Sequence, residues 1–306
     1  MTEKPPSSLH DVRDQSSAPT PPHYANAFQE RYGESVAAIV LYGSYLRGKR
    51  DTVLDFYVLL DDYSALESRT AAAANRLLPP NVYHLVLRAD ATACAAKYAT
   101  VTLKQFEHAI GTDFHTYFWS RFAQPFDIVY ARDEAVHERV QQAGIDACRR
   151  MLSATLDMLP DCFTTTELWR RGFALTYGSE LRSEDTSRAA ELTACYHEHL
   201  EAMTARLAGE FGLIACDEGG WRNTRSGFAR RRAALAWSGR RIAGKLLAVL
   251  RLGKAAFTFN DPLDYVLWKV ERHSGLHMEA TDLQRRHPLI FAWPLLWRLY
   301  RRGGFR

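Results

Sequence analysis

Residues 36–60 read VAAIVLYGSYLRGKRDTVLDFYVLL. Val36–Leu41 is a continuous apolar run of strand length, and it breaks at Gly43-Ser44, where glycine and serine punctuate a turn. Leu54–Leu60 (LDFYVLL) is a second strand, and Asp55 is the only acid inside it. The acid follows Ser44 by eleven positions on the neighbouring strand. Gly43 lets backbone approach an anion closely, and Ser44 offers a hydroxyl and an N–H at the start of a helix, where negative charge is favoured. Asp55 is placed to hold a divalent cation bridging the oxygens of such an anion.

Working outward, a helix is expected from Tyr24 to Tyr32, and another at about Ala65–Leu78. A third strand is expected at Val82–Leu87 and a fourth at Phe126–Tyr130 (FDIVY). Strands alternating with helices predict an α/β domain with a mixed sheet over residues 24–140. Residues 141–221 carry helical spacing (Met151, Leu152, Leu156, Leu159, then Leu168, Phe173, Leu175), which predicts a helical, winged-helix-like accessory domain. Residues 1–23, rich in Pro and Ser, read as a flexible leader.

The 306 residues are 47% hydrophobic and 24% charged, which excludes a disulfide-stapled mini-protein and a disordered chain. Five cysteines without a CxxC pair fit a reducing compartment rather than a disulfide framework or a zinc site. The N-terminus lacks the apolar core of a signal peptide, and Pro288–Trp297 is half the length of a spanning helix, which needs roughly 20 apolar residues. Charge is polarised: residues 222–306 carry 18 Lys/Arg against 5 Asp/Glu, whereas residues 1–221 carry 21 against 30. The tail is a basic module that suits an anionic partner.

A strand, a Gly-Ser turn, an Arg47-Gly48 pair and an acid on the next strand form the arrangement of the nucleotidyltransferase fold, which this stretch resembles. The usual pattern has a second acid two residues on, where this chain has Tyr57. Leu54-Asp55-Phe56 with Val58 and Asp61-Asp62 resembles the metal-binding strand of the mitochondrial-type phosphatidate cytidylyltransferases, also called translocator assembly and maintenance proteins, which keep one Asp there. The resemblance continues through Asn81-Val82-Tyr83, Lys97-Tyr98 with Thr102-Leu103, Ala123-Gln124-Pro125, Leu159-Pro160 into Glu167-Leu168, and Ala174-Leu175-Thr176-Tyr177-Gly178-Ser179-Glu180-Leu181-Arg182. It covers roughly residues 36–220. Two departures stand out: Tyr45 where the family tends to have a second glycine, and Gln124 where it reads Lys before proline.

The resemblance implies transfer of a cytidylyl group from CTP to phosphatidate, giving CDP-diacylglycerol and pyrophosphate, with Mg²⁺ as cofactor. It implies Asp55, Lys97 and Arg182 as catalytic residues, and Tyr42, Gly43, Ser44, Arg47 and Tyr98 around the nucleotide. Asp127, at the start of the fourth strand, is a candidate second metal ligand beside Asp55, as are Asp61 and Asp62. One acid suffices on chemical grounds, because a phosphate monoester, with a second pKa of about 6, is already largely dianionic at neutral pH and needs no base.

From Arg222 to Lys254 ten Lys/Arg occur with no acid, interleaved with Trp237, Ile242, Leu246, Leu247, Val249 and Leu250. Such a cationic amphipathic helix lies in the plane of an anionic bilayer interface. Leu289–Trp297, followed by Arg298 and Tyr300, reads as a second interfacial anchor. The expected partners are CTP and phosphatidate in an anionic membrane rather than nucleic acid, at the cytoplasmic face of a bacterial inner membrane. Two alternatives stand beside this: a nucleotidyltransferase with another acceptor, and a catalytically silent relative that binds nucleotide and membrane.

Overall fold

A computed structural model describes residues 19–49, 52–66, 69–89, 92–180, 186–216, 219–222, 227–258 and 281. The protein is α/β, built on a mixed five-stranded sheet. Its strands are β1 (Val36–Tyr42), β2 (Leu54–Leu60), β3 (Asn81–Ala89), β4 (Thr92–Thr102) and β5 (Asp127–Ala131), in the order β3-β4-β2-β1-β5. β2 and β4 run parallel, and the other pairings are antiparallel. β4 is absent from the sequence reading because ACAAKYAT is alanine-rich and carries few β-branched residues, yet it occupies an inner position beside β2.

Every residue of Val36–Leu41 is buried, because both faces of the sheet are covered; this is why β1 reads as an unbroken apolar run. On one face α1 (Pro21–Tyr32) packs Tyr24, Phe28 and Tyr32 against Phe56 and Tyr98. That helix starts inside the expected leader, with Thr20 and His23 closing a capping box around Pro21-Pro22. α2 (Arg69–Leu77) follows β2. On the other face Val40, Tyr57, Leu59, Ala99 and Val101 meet α3 (Leu103–Thr112), the short α4 (Trp119–Phe122) and α5 (Glu134–Thr155).

α5 is about 33 Å long at 1.5 Å per residue, and Asp133 Oδ1 caps it by accepting from Val136 N at 2.8 Å. The boundary read at residue 140 falls inside this helix. One continuous core runs from the sheet through α5 into α6 (Thr165–Tyr177), α7 (Thr186–Cys195) and α8 (His197–Leu207). Within the region read as helical, β6 (Cys162–Phe163), β7 (Ile214–Cys216) and β8 (Gly220–Arg222) form a small antiparallel sheet.

α9 (Gly227–Thr258) contains the basic stretch, and its orientation corrects the sequence reading. Trp237 belongs to the protein core: it is 1% exposed, stacks edge-on to Trp119 and donates Nε1 to the Ala154 carbonyl at 2.8 Å. Arg240 and Arg251 also turn inward, onto Phe114 and Tyr117. At Gly244 the helix approaches so closely that a Cβ would sit 2.2 Å from the Ser179 carbonyl oxygen. The opposite face presents Phe228, Leu235, Ile242, Leu246, Val249 and Leu250 to solvent, all 50 to 76% exposed. Among the described residues no helix is long and apolar enough to cross a membrane. The second anchor, Leu289–Trp297, lies outside the described residues.

Candidate active site

The chain leaves β1 through Gly43, whose backbone (φ 95°, ψ −153°) is open in practice only to glycine, and makes one 3₁₀ turn over Ser44–Arg47. Gly48 ends that turn in the left-handed region. β1 and β2 pair so that Tyr42 stands opposite Asp55. The carboxylate consequently lies against the turn: a Cβ placed on Gly43 would come within 3.0 Å of Asp55 Oδ2. The glycine and the acid, twelve residues apart in sequence, meet at one end of the sheet.

Ser44 Oγ shares a hydrogen bond with Thr52 Oγ1 at 2.9 Å, which ties the two ends of the connection together. The turn leans on the helical half of the molecule. Arg47 Nη1 donates to Tyr196 Oη at 3.4 Å, Lys49 pairs with Glu191 at 3.2 Å, and Arg47 Nε is buried without a hydrogen-bond partner. Lys97 stands beside Asp55 in the parallel β2–β4 register, so both fall on the sheet face covered by α3, α4 and α5. Asp55, Lys97, Tyr42, Gly43, Ser44 and Arg47 are thus brought to one end of the sheet.

Tyr98 and Asp127 are not. Tyr98 is one residue past Lys97 and points to the opposite face, where it is buried, stacks on Tyr83 and shares a 2.9 Å hydrogen bond with Tyr32 Oη. It is a core residue of the α1 side. Asp127 pairs with Leu41, whose side chain packs in that same α1-side core, so its carboxylate leaves the sheet on the face away from Asp55. A register shift between Ile39 and Val40 sets this outcome, and no sequence spacing announces it.

Asp61 is six residues from Asp55, about 20 Å along the strand, and is held by Arg132. Ser64 holds the Asp62 carboxyl below the usual range, through its hydroxyl first and then through its backbone N, which donates to Asp62 Oδ1 at 2.6 Å. Glu167 closes a capping box on α6 with Thr164. Arg182 lies outside the described residues.

Position 57 is settled by packing. Tyr57 is fully buried between Tyr42, Phe118 and Phe122, with ring centres 5.0 to 5.9 Å away, and its hydroxyl accepts from Arg121 Nη1 at 2.9 Å. Arg121 is the residue that sequence reasoning missed. Its guanidinium lies 4.5 Å from the Tyr117 ring centre and 5.6 Å from that of Tyr42. Burial works against this cation, but Tyr57, Tyr117, Tyr42 and Glu180 outweigh it and hold the proton more tightly than usual. The same field acts in reverse on Tyr117, where Arg121 and Arg251 overcome burial and pull the phenol below its ordinary value. The available signal was one arginine inside the aromatic run Phe118-Trp119-Ser120-Arg121-Phe122, a cation that folding must bury.

No family model matches the chain, and no curated protein matches it.

Among the described residues no three His, Cys, Asp or Glu side chains gather as a metal cage. The donor set fits a different kind of site. One carboxylate beside a glycine turn suits magnesium, which keeps most of its water and is bound through one or two carboxylates plus substrate phosphates. Asp55 is the residue here that would hold it.

Proposed function

We propose that this chain is a nucleotidyltransferase that moves a cytidylyl group from CTP to phosphatidate. The observation that carries the reading is the contact between the Gly43 turn and the Asp55 carboxylate, at the mouth of a mixed sheet whose β1 and β2 are antiparallel neighbours. This is what the nucleotidyltransferase fold needs: a turn that admits phosphate against backbone, with an acid in reach of the same phosphates.

In this reading the Gly43 and Ser44 backbone receives the triphosphate, and Lys97 and Arg47 offset its charge from either side of the turn. Asp55 is the residue that would hold magnesium, which when bound would neutralise charge on the triphosphate and ease departure of pyrophosphate. A phosphatidate oxygen then attacks the α-phosphorus in line. A new P–O–P bond forms as the bond to the β-phosphate breaks, and its electron pair leaves with pyrophosphate. No residue has to remove a proton, because the attacking phosphate is already ionised. The chain's contribution is positioning and electrostatic stabilisation, which supports the reading even with Tyr57 in place of a second acid. The exposed apolar stripe of α9, bordered by Arg231, Arg241 and Lys245, supports attachment at an anionic bilayer interface.

The test is pyrophosphate release and nucleotide-bearing lipid from purified protein, phosphatidate vesicles, Mg²⁺ and each nucleoside triphosphate in turn. CTP should be the productive nucleotide, and Asp55→Asn should abolish turnover while the thermal transition is retained. Wild-type protein that binds nucleotide but makes no product would sink the transferase reading in favour of a silent relative. Product from a soluble acceptor alone would sink the choice of lipid.

A further inference from the structure

Arg121 and Arg251 come from distant parts of the chain and share one aromatic ring. The Arg251 guanidinium lies 3.8 Å from the Tyr117 ring centre, and that of Arg121 lies 4.5 Å from it. Arg251 also donates Nε to the Pro79 carbonyl at 3.1 Å, which anchors its stem and leaves the fork of the guanidinium at the ring. Among the described residues neither arginine has a carboxylate within ion-pair distance; Glu180 and Asp113 act on them only through longer-range attraction. Two guanidiniums at one ring, with phenols rather than acids as their described neighbours, keep positive charge that an anion can meet.

The pair stands next to the proposed chemistry. Arg121 bonds to Tyr57, which is two residues, about 7 Å, along the same strand face from Asp55. Arg251 belongs to α9, the helix whose other side carries the exposed apolar stripe.

We propose that Arg121 and Arg251, spaced by Tyr117, form the receiving site for the acceptor's phosphate monoester, so that α9 completes the active site as well as carrying its bilayer-facing surface. The inference rests on the transferase reading for the identity of the acceptor, and it deepens that reading by assigning residues to the second substrate. Two arginine forks match a phosphate dianion through charge-assisted, bidentate hydrogen bonds, and they discriminate against a phosphodiester, which carries one charge less. The site would hold the headgroup while the acyl chains stay in the bilayer.

The experiment uses the full chain and dihexanoyl phosphatidate, a short-chain probe that is soluble and needs no vesicle. Calorimetry without nucleotide should show the wild type binding this probe more tightly than dihexanoyl phosphatidylmethanol or inorganic phosphate. Arg251→Gln and Arg121→Lys should each weaken binding by roughly tenfold or more, while affinity for Mg²⁺-CTP stays within about twofold. Because Arg251 also holds the Pro79 carbonyl, Arg251→Lys serves as a second variant that keeps the charge and loses the fork; it should lie between wild type and glutamine. Unchanged probe affinity in the variants, or a loss falling on CTP instead, would overturn the assignment. Inorganic phosphate binding as tightly as the lipid probe would overturn the choice of a lipid headgroup. Asp55→Asn should keep probe binding while losing turnover, so failure of the arginine pair and failure of the transferase reading give different results.

Discussion

Gly43→Ala is the substitution whose outcome the geometry specifies most closely. At φ 95°, ψ −153° an alanine is strained whatever the space around it, at a cost of about 1–3 kcal/mol. Its Cβ would also stand 3.0 Å from Asp55 Oδ2, closer than nine in ten Cβ contacts, so the carboxylate must shift by a few tenths of an ångström. Gly48→Ala separates the two effects, because Gly48 has a positive φ of 81° and nothing within 4 Å of a Cβ. Chemical denaturation should show Gly48→Ala destabilised by about 1 kcal/mol and Gly43→Ala by more. Equilibrium titration with Mg²⁺-CTP should show Gly48→Ala near wild type and Gly43→Ala weakened roughly tenfold or more, a loss of about 1.4 kcal/mol per decade. Equal nucleotide affinity in the two variants would refute the argument that the turn and the acid form one site.

Trp237→Ala should cost about 3–5 kcal/mol in urea unfolding, because it empties a core position and strands the Ala154 carbonyl; a smaller loss would mean that α9 docks by other contacts. Ile242→Glu, on the exposed stripe, should cut sedimentation with phosphatidate vesicles roughly tenfold and leave Mg²⁺-CTP affinity unchanged. Burial, with Arg251 adding to it, pushes Lys254 down to about 7, whereas the unfolded lysine titrates near 10.5. Between those values the unfolded chain binds more protons, so the contribution of this site to stability should rise with pH across the window and be lowest below about 7. Lys254→Met should flatten that rise in unfolding midpoints measured from pH 7 to 10, and an unchanged slope would remove Lys254 as its source.

The two strands that make the site were legible because burial on both faces leaves a plain apolar run, and Asp55 stood out against it. What sequence could not supply was facing. Tyr98 and Lys97 are adjacent, and the alternation of a strand sends one into the α1-side core and the other toward Asp55. The irregularity between β1 and β5 decides the side for Asp127, and a shift of one residue would have reversed it. β4 was lost because alanine carries little strand signal, although its pairing with β2 is what brings Lys97 to the site. Arg121 and Arg251 are 130 positions apart, and only tertiary packing brings them to one ring.

α9 shows why composition misled in a specific way. Its inward contacts at Trp237, Gly244 and Arg251 recur every seven residues, and so do the outward Phe228, Leu235, Ile242 and Val249. A seven-residue step drifts only about 20° around a straight helix, so each series keeps to its own side over its two or three steps. A count of basic and apolar residues mixes the two series and yields a single membrane-facing helix. The separated series describe a helix clamped to the protein by one side, with a free apolar side opposite. On the proposed reading this makes attachment and substrate reception properties of one rigid element. Any force that lifts α9 from Trp119 also withdraws Arg251 from Tyr117, so a helix seated on a bilayer and a helix seated on the core have to be satisfied together.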